Sequence, residues 1–151
     1  MNNRTLQMQQ LEDKMKELGA IQLAVPLSGW VKATRNALGI SLIQMGNKLK
    51  ITKQSAHSLE LREKQKSITL KSLEDAAKAL DMKLVYGFVP MDGSLEKLIE
   101  KKAQTLATEI VQRIAGSMVL DDKKNSDKRL QKAIQEKSIE LRNTMPKALW
   151  D

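Results

Sequence analysis

The residues of this chain best suited to chemistry lie between Lys32 and Lys66, and they are hydrogen-bonding and cationic groups rather than catalytic ones. In Lys53-Gln-Ser-Ala-His-Ser58, a helical turn puts Lys53, Gln54, Ser55, His57 and Ser58 around the inward Ala56, so donors and acceptors point outward together. A glutamine amide can make two hydrogen bonds to an adenine edge, and Lys, Ser and His can reach neighbouring bases or phosphates. Gln54 is therefore expected at a base, with Lys53, Ser55, His57 and Ser58 beside it and Gln44 contributing from the preceding helix. Lys32, Arg35, Arg62, Lys64 and Lys66 flank this stretch and are expected to hold the phosphate backbone.

Charge supports that chemistry. The 151 residues carry 26 Lys+Arg and 18 Asp+Glu, a net +8. Residues 28–71 hold nine basic side chains against two acidic ones, Glu60 and Glu63, a net +7. A local excess of this kind is the footprint of a polyanion-binding surface, although a basic face can also be simply solvated. Catalysis has little to work with. There is no Cys, His57 is the one histidine, and there is no Gly-rich phosphate loop, H-E-x-x-H or Ser–His–carboxylate pattern. Adjacent Asp121 and Asp122 are expected to solvate a chain break rather than hold a cation. We therefore expect a protein that is not an enzyme and uses no cofactor or metal. No apolar run approaches the ~18 residues of a membrane span, and Met1-Asn-Asn-Arg-Thr5 lacks a signal core, so a soluble, cytoplasmic protein is expected.

Elements must position these groups. Pro26, Pro90 and Pro146 punctuate the chain into an arm (1–27), a middle block (28–90) and a C-terminal region (91–151). In the arm, Met8, Leu11, Met15 and Leu18 recur on one helical face that ends near Gly19. The middle block predicts four short helices: one capped by Ser28 and stopped by Gly39, with Trp30 inward, and others capped by Ser41, Thr52 and Thr69. Lys83-Leu-Val-Tyr-Gly-Phe-Val89 is β-branched and aromatic with alternation, which predicts a strand. The chain offers it no second strand. Its expected partner is the same segment of another copy, with Leu84, Val85, Tyr86 and Phe88 at a homodimer interface. Ser94 caps a long amphipathic helix to about residue 115, and another helix is expected from Ser126.

The spacing from Leu42 to Glu60 is that of a helix-turn-helix. Gly46 sits where the two helices cross, Met45, Leu49, Ile51, Ala56 and Leu59 point inward, and Glu60 closes the second helix. Lys50 stands where the turn commonly has Gly. Residues 40–80 resemble the phage repressor/Cro-type helix-turn-helix family. Gly29-Trp30-Val31, Arg35, Ala37-Leu-Gly39, Ile68-Thr-Leu70, Ala79-Leu80, Leu84-Val-Tyr86, Val89-Pro90, Ser94-Leu95, Met118-Val-Leu120 and Leu149-Trp-Asp151 resemble the family called mobile mystery protein A. That resemblance implies a gene placed beside one for a Fic-domain protein, and so an antitoxin-like pairing with it. Thr105-Leu-Ala-Thr-Glu109 matches the start of the inhibitory pattern of Fic antitoxins, but Ile110 replaces the small residue that follows there.

Two functions result. The first is a mostly α, repressor/Cro-like helix-turn-helix protein with a short pairing strand and a helical extension. It would bind double-stranded DNA at a palindromic operator and repress its own transcription. The second is an interaction protein whose main task is to neutralise the Fic-type partner through residues 94–151, with Trp150 as an anchor or a packed chain end.

Overall fold

The computed structural model describes residues 3–116 and 123–151. They form helices α1 (Asn3–Gly19), α2 (Trp30–Ala37), α3 (Leu42–Leu49), α4 (Lys53–Lys64), α5 (Leu70–Ala79), α6 (Leu95–Ala115) and α7 (Lys123–Thr144), then a 3₁₀ turn at Lys147–Trp150. The chain divides into two compact units, residues 21–87 and residues 1–20 with 88–151, so the arm is split: its helical part goes with the C-terminal region and residues 21–27 with the middle block.

The unit of residues 21–87 holds α2 to α5 around Val31, Met45, Leu59, Ala76 and Leu80. Three of its helices begin as their sequences predict. Ser41 and Gln44 form a reciprocal capping box, Ser41 Oγ accepting from Gln44 N–H (3.1 Å) and Gln44 Oε1 from Ser41 N–H (2.8 Å). Thr52 and Thr69 accept from the N–H groups of Ser55 and Ser72. The turn between α3 and α4 closes around Lys50, whose φ of 58° is left-handed. Lys50 N–H donates to the Asn47 carbonyl and Ile51 N–H to the Gly46 carbonyl, the paired bonds of a Schellman ending that Gly would occupy without strain. Helix α4 ends the same way. Lys66 (φ 61°) donates to Glu63, and Ser67 donates to Arg62.

The crossing of α3 and α4 is tighter at Gly46 than spacing alone implied. A Cβ there would lie 2.7 Å from the Ile51 carbonyl oxygen, so even Ala requires the turn to move.

Several expectations are corrected. Ser28 does not cap α2; the N-cap is Gly29 at φ 91°, which makes no side-chain cap bond. Trp30 is 43% exposed and Ile51 37% exposed, so neither is core. Helix α4 runs a turn past Glu60 to Lys64, and α7 starts at Lys123 rather than Ser126. The expected strand at residues 83–89 does not form, and no strand exists among the described residues. A strand is held by its ladder, and one chain supplies this segment with no partner. Leu84 is half-buried, while Val85, Tyr86 and Phe88 are exposed rather than covering a core.

In the other unit, α6 packs on α7 around Ile99, Ala103, Ala107, Ile134, Leu141 and Leu149. Ala103 and Ala107, four residues apart and fully buried, let the helices approach closely. In α1, Met8 joins this cluster, while Leu11 faces solvent. The neighbouring Glu12 instead accepts from Leu95 N–H (3.1 Å) at the start of α6.

Two substitutions test the turn. Gly46→Ala should destabilise the protein by roughly 1–3 kcal/mol, the range for overpacking. Lys50→Gly should stabilise it by about 1 kcal/mol by relieving the left-handed strain. Urea unfolding monitored by circular dichroism measures both.

Candidate nucleic-acid interface

Helix α4 divides its side chains sharply. Ala56, Leu59 and Glu60 are buried, while Lys53, Gln54, Ser55, His57 and Ser58 are exposed, so the five candidate reading residues share the outer surface of α4. Ser55 has local work as well: its Oγ accepts from Thr52 Oγ1 (3.0 Å) and its N–H donates to the same oxygen. It suits a phosphate or base contact less than Gln54, which has no such local bond. Gln44 is exposed at the start of α3, but its carbonyl oxygen is committed to the Ser41 cap, so it would approach DNA through its amide N–H₂ alone.

Arg35 is the clear correction. It does not face a phosphate. The side chain is buried between α2 and α4, where Nε donates to Glu60 Oε2 (2.6 Å) and Nη2 to Glu60 Oε1 (3.1 Å). Nη1 reaches the Ile40 carbonyl (2.9 Å). Both partners are almost wholly enclosed, with side chains 10% and 3% exposed. The hydrogen bond to Glu60 raises the guanidinium's pKa above its ordinary value, outweighing the desolvation that lowers it. A fork of this kind fixes the approach of two helices as well as their charge.

Glu63 plays a role that sequence reasoning missed. One turn beyond Glu60, its carboxylate accepts from Trp30 N–H (2.7 Å) and Val31 N–H (2.9 Å), capping α2 from a distant segment. An acid at a helix N-terminus is favoured by the helix dipole as well as by the bonds. The contact also explains Gly29, since a Cβ there would lie 2.8 Å from the Glu63 carboxyl. An acid three residues after Glu60 was the available signal, but spacing alone could not say which helix it would cap.

These two contacts sort the charge of the unit. Glu60 and Glu63 are the only acids in residues 28–71, and both turn inward onto α2. Of the nine basic residues, Arg35 is consumed internally, and Lys32, Lys48, Lys50, Lys53, Arg62, Lys64, Lys66 and Lys71 are exposed. The candidate phosphate contacts Lys32, Arg62, Lys64 and Lys66 therefore remain on the surface, whereas Arg35 leaves that set.

The remaining candidates belong to the other unit or lie outside the described residues. Asp121, Asp122 and Met118–Leu120 lie outside the described residues, and among those described no cluster of His, Asp and Glu could hold a metal. Thr105 donates to the Lys101 carbonyl (3.0 Å) within α6, and Glu109 is exposed. Trp150 is 53% exposed, while the adjacent Leu149 is the buried residue of the chain end. No described helix is long and apolar enough to cross a membrane.

Comparison of the chain with protein-family models, with curated proteins and with solved structures finds no match.

Removing one partner of the enclosed pair leaves a buried charge uncompensated. Glu60→Ala should lower stability by about 3–5 kcal/mol in denaturant titration, and Arg35→Ala should do the same. The double variant Arg35→Met/Glu60→Leu should recover most of that loss. A single variant with unchanged stability would show that the pair does not hold α2 to α4.

Proposed function

We propose that this protein is a sequence-specific DNA-binding transcriptional regulator of the repressor/Cro type. It acts as a homodimer at a palindromic operator, controls its own transcription, and belongs to an antitoxin-like pair with a Fic-domain protein. One observation carries the DNA reading. Across residues 28–71 both acids are turned inward, and the polar residues exposed on α4 share that helix with the exposed Lys53, Arg62 and Lys64. In this reading Gln54 contacts an adenine edge, with Lys53, His57 and Ser58 beside it and Ser55 held nearer the cap. Lys32, Arg62, Lys64 and Lys66 anchor the phosphates, and Gln44 adds an amide donor. Because the two recognition helices of a dimer enter successive major grooves, operator half-sites should lie one helical turn apart. The Fic pairing rests on the sequence resemblance described above.

The second reading, an interaction protein that neutralises the Fic-type partner, is favoured by the division of the chain. Residues 1–20 with 88–151 form a unit with its own core, and none of the candidate DNA contacts belongs to it. The two tasks are compatible, one in each unit, with the half-exposed Trp150 as a candidate anchor because aromatic residues dominate interface energetics.

Gel shifts on DNA upstream of the gene test the first reading. Gln54→Ala should weaken cognate binding by ~1–3 kcal/mol and relax the preference at one base pair. Equal losses on cognate and random DNA would remove Gln54 from base readout. Each true phosphate contact contributes about 0.9 to the slope of log affinity against log salt, so Lys64→Ala/Lys66→Ala should flatten that slope by up to ~1.8. An unchanged slope places this loop away from DNA.

A further inference from the structure

The segment that fails to form a strand borders a cavity of about 260 Å³ within the unit of residues 21–87. Leu23, Trp30, Met82, Leu84 and Val85 give it an apolar wall, and Lys83 is the one charge at its edge. The cavity is smaller than the ~300–1,000 Å³ typical of sites for small molecules, and suits a side chain better. Beside it Tyr86 is 69% exposed and Val85 70% exposed. Among the described residues, no backbone hydrogen bond involves residues 83–89.

A hole, an unsatisfied backbone edge and an aromatic knob thus lie within a few residues of one another. We propose that this surface is self-complementary: two copies pair antiparallel through residues 83–87 across a two-fold axis at Val85, and the Tyr86 ring of each copy enters the other's cavity. This deepens the homodimer of the proposed function and rests on it.

The register follows from chemistry. Centring on Val85 sets each Leu84 opposite the other copy's Tyr86, an aliphatic–aromatic cross-strand pair on the cavity side. It sets Lys83 opposite Gly87, so the charge of the segment meets no like charge. A second copy also answers what a small ligand cannot, the run of unpaired N–H and C=O groups. Area is consistent. At roughly 150–250 Å² for a whole aromatic side chain, Trp30 and Tyr86 alone leave on the order of 200 Å² in water. Leu23, Met82 and Val85, all exposed, extend this toward the ~800 Å² each partner contributes to a stable interface.

The chain has no Cys, so one introduced cysteine can form a disulfide only between copies. Opposed residues of an antiparallel pair have Cα atoms roughly 4.5–5.5 Å apart, within disulfide reach. Mild oxidation of Val85→Cys should give a covalent dimer. Leu84→Cys and Tyr86→Cys should each fail alone and cross-link when mixed, because each meets the other type, whereas copies of the same residue lie diagonally about 7–8 Å apart. Lys53→Cys, exposed on α4, should stay uncrosslinked. A second measurement reads the cavity: with Trp150→Phe as background, Trp30 emission should shift to the red on dilution. Tyr86→Ala should weaken association at least about tenfold and move that transition to higher concentration. Absent cross-linking of Val85→Cys, self-linking of Tyr86→Cys, or equal linking of the Lys53→Cys control overturns the proposal. If the protein sediments as a dimer without the Val85 cross-link, this interface falls and the dimeric DNA reading survives. If the cross-link forms in a protein that binds no operator, the DNA reading falls and the interface stands.

Discussion

The enclosed fork between Arg35 and Glu60 is the interaction on which the unit of residues 21–87 depends. It joins α2 to α4 where apolar packing alone would leave their relative rotation loosely specified, because two parallel hydrogen bonds accept only one orientation of two planar groups. The third bond, from Arg35 to the Ile40 carbonyl, ties the loop after α2 to the same point. Glu63, one turn further along α4, holds the first turn of α2 through two backbone N–H groups. Together they tie the buried face of α4 to α2 and leave its outer face exposed.

That arrangement has an electrostatic consequence as important as the mechanical one. Buried ion pairs contribute little net stability, since desolvation offsets much of the attraction. Here the pair removes the negative charge of α4 from the surface. The Glu63 cap does the same with the other acid of residues 28–71. The charge that α4 itself exposes is then positive, from Lys53, Arg62 and Lys64, while Asp75 of α5 lies near Lys48, Lys50 and Arg62 and pairs with Lys71. Gly46 and Gly29 serve the same geometry from the backbone side, each standing where a Cβ would strike a neighbouring carbonyl or carboxyl.

Outside this framework the chain is left with apolar groups that its own fold does not cover. Trp30 borders a cavity instead of filling one, and Val85, Tyr86 and Phe88 stand in solvent. The alternation at residues 83–89 has the composition of a strand but finds no ladder in a single chain, so the backbone there carries no hydrogen bonds. These are the residues that the proposed pairing with a second copy would cover.

Local rules were legible in the sequence to the extent that the physics is local. Ser41, Thr52, Thr69 and Ser94 could be read as caps because an N-cap bonds to an N–H only a few residues away. The outward placement of Gln54, His57 and Ser58 against Ala56 and Leu59 follows from helical periodicity, and Lys50 from the turn that must join α3 to α4. Roles that depend on residues distant in the chain were not legible. Arg35 carries the same charge whether it meets a phosphate or Glu60, 25 residues away, and only tertiary packing decides between them. Trp30 looks like core because it is large and apolar, yet its exposure depends on what the rest of the chain brings to cover it. The strand failed for a related reason: a helix satisfies its backbone within itself, whereas a strand needs a neighbour, and no local pattern states whether the fold supplies one.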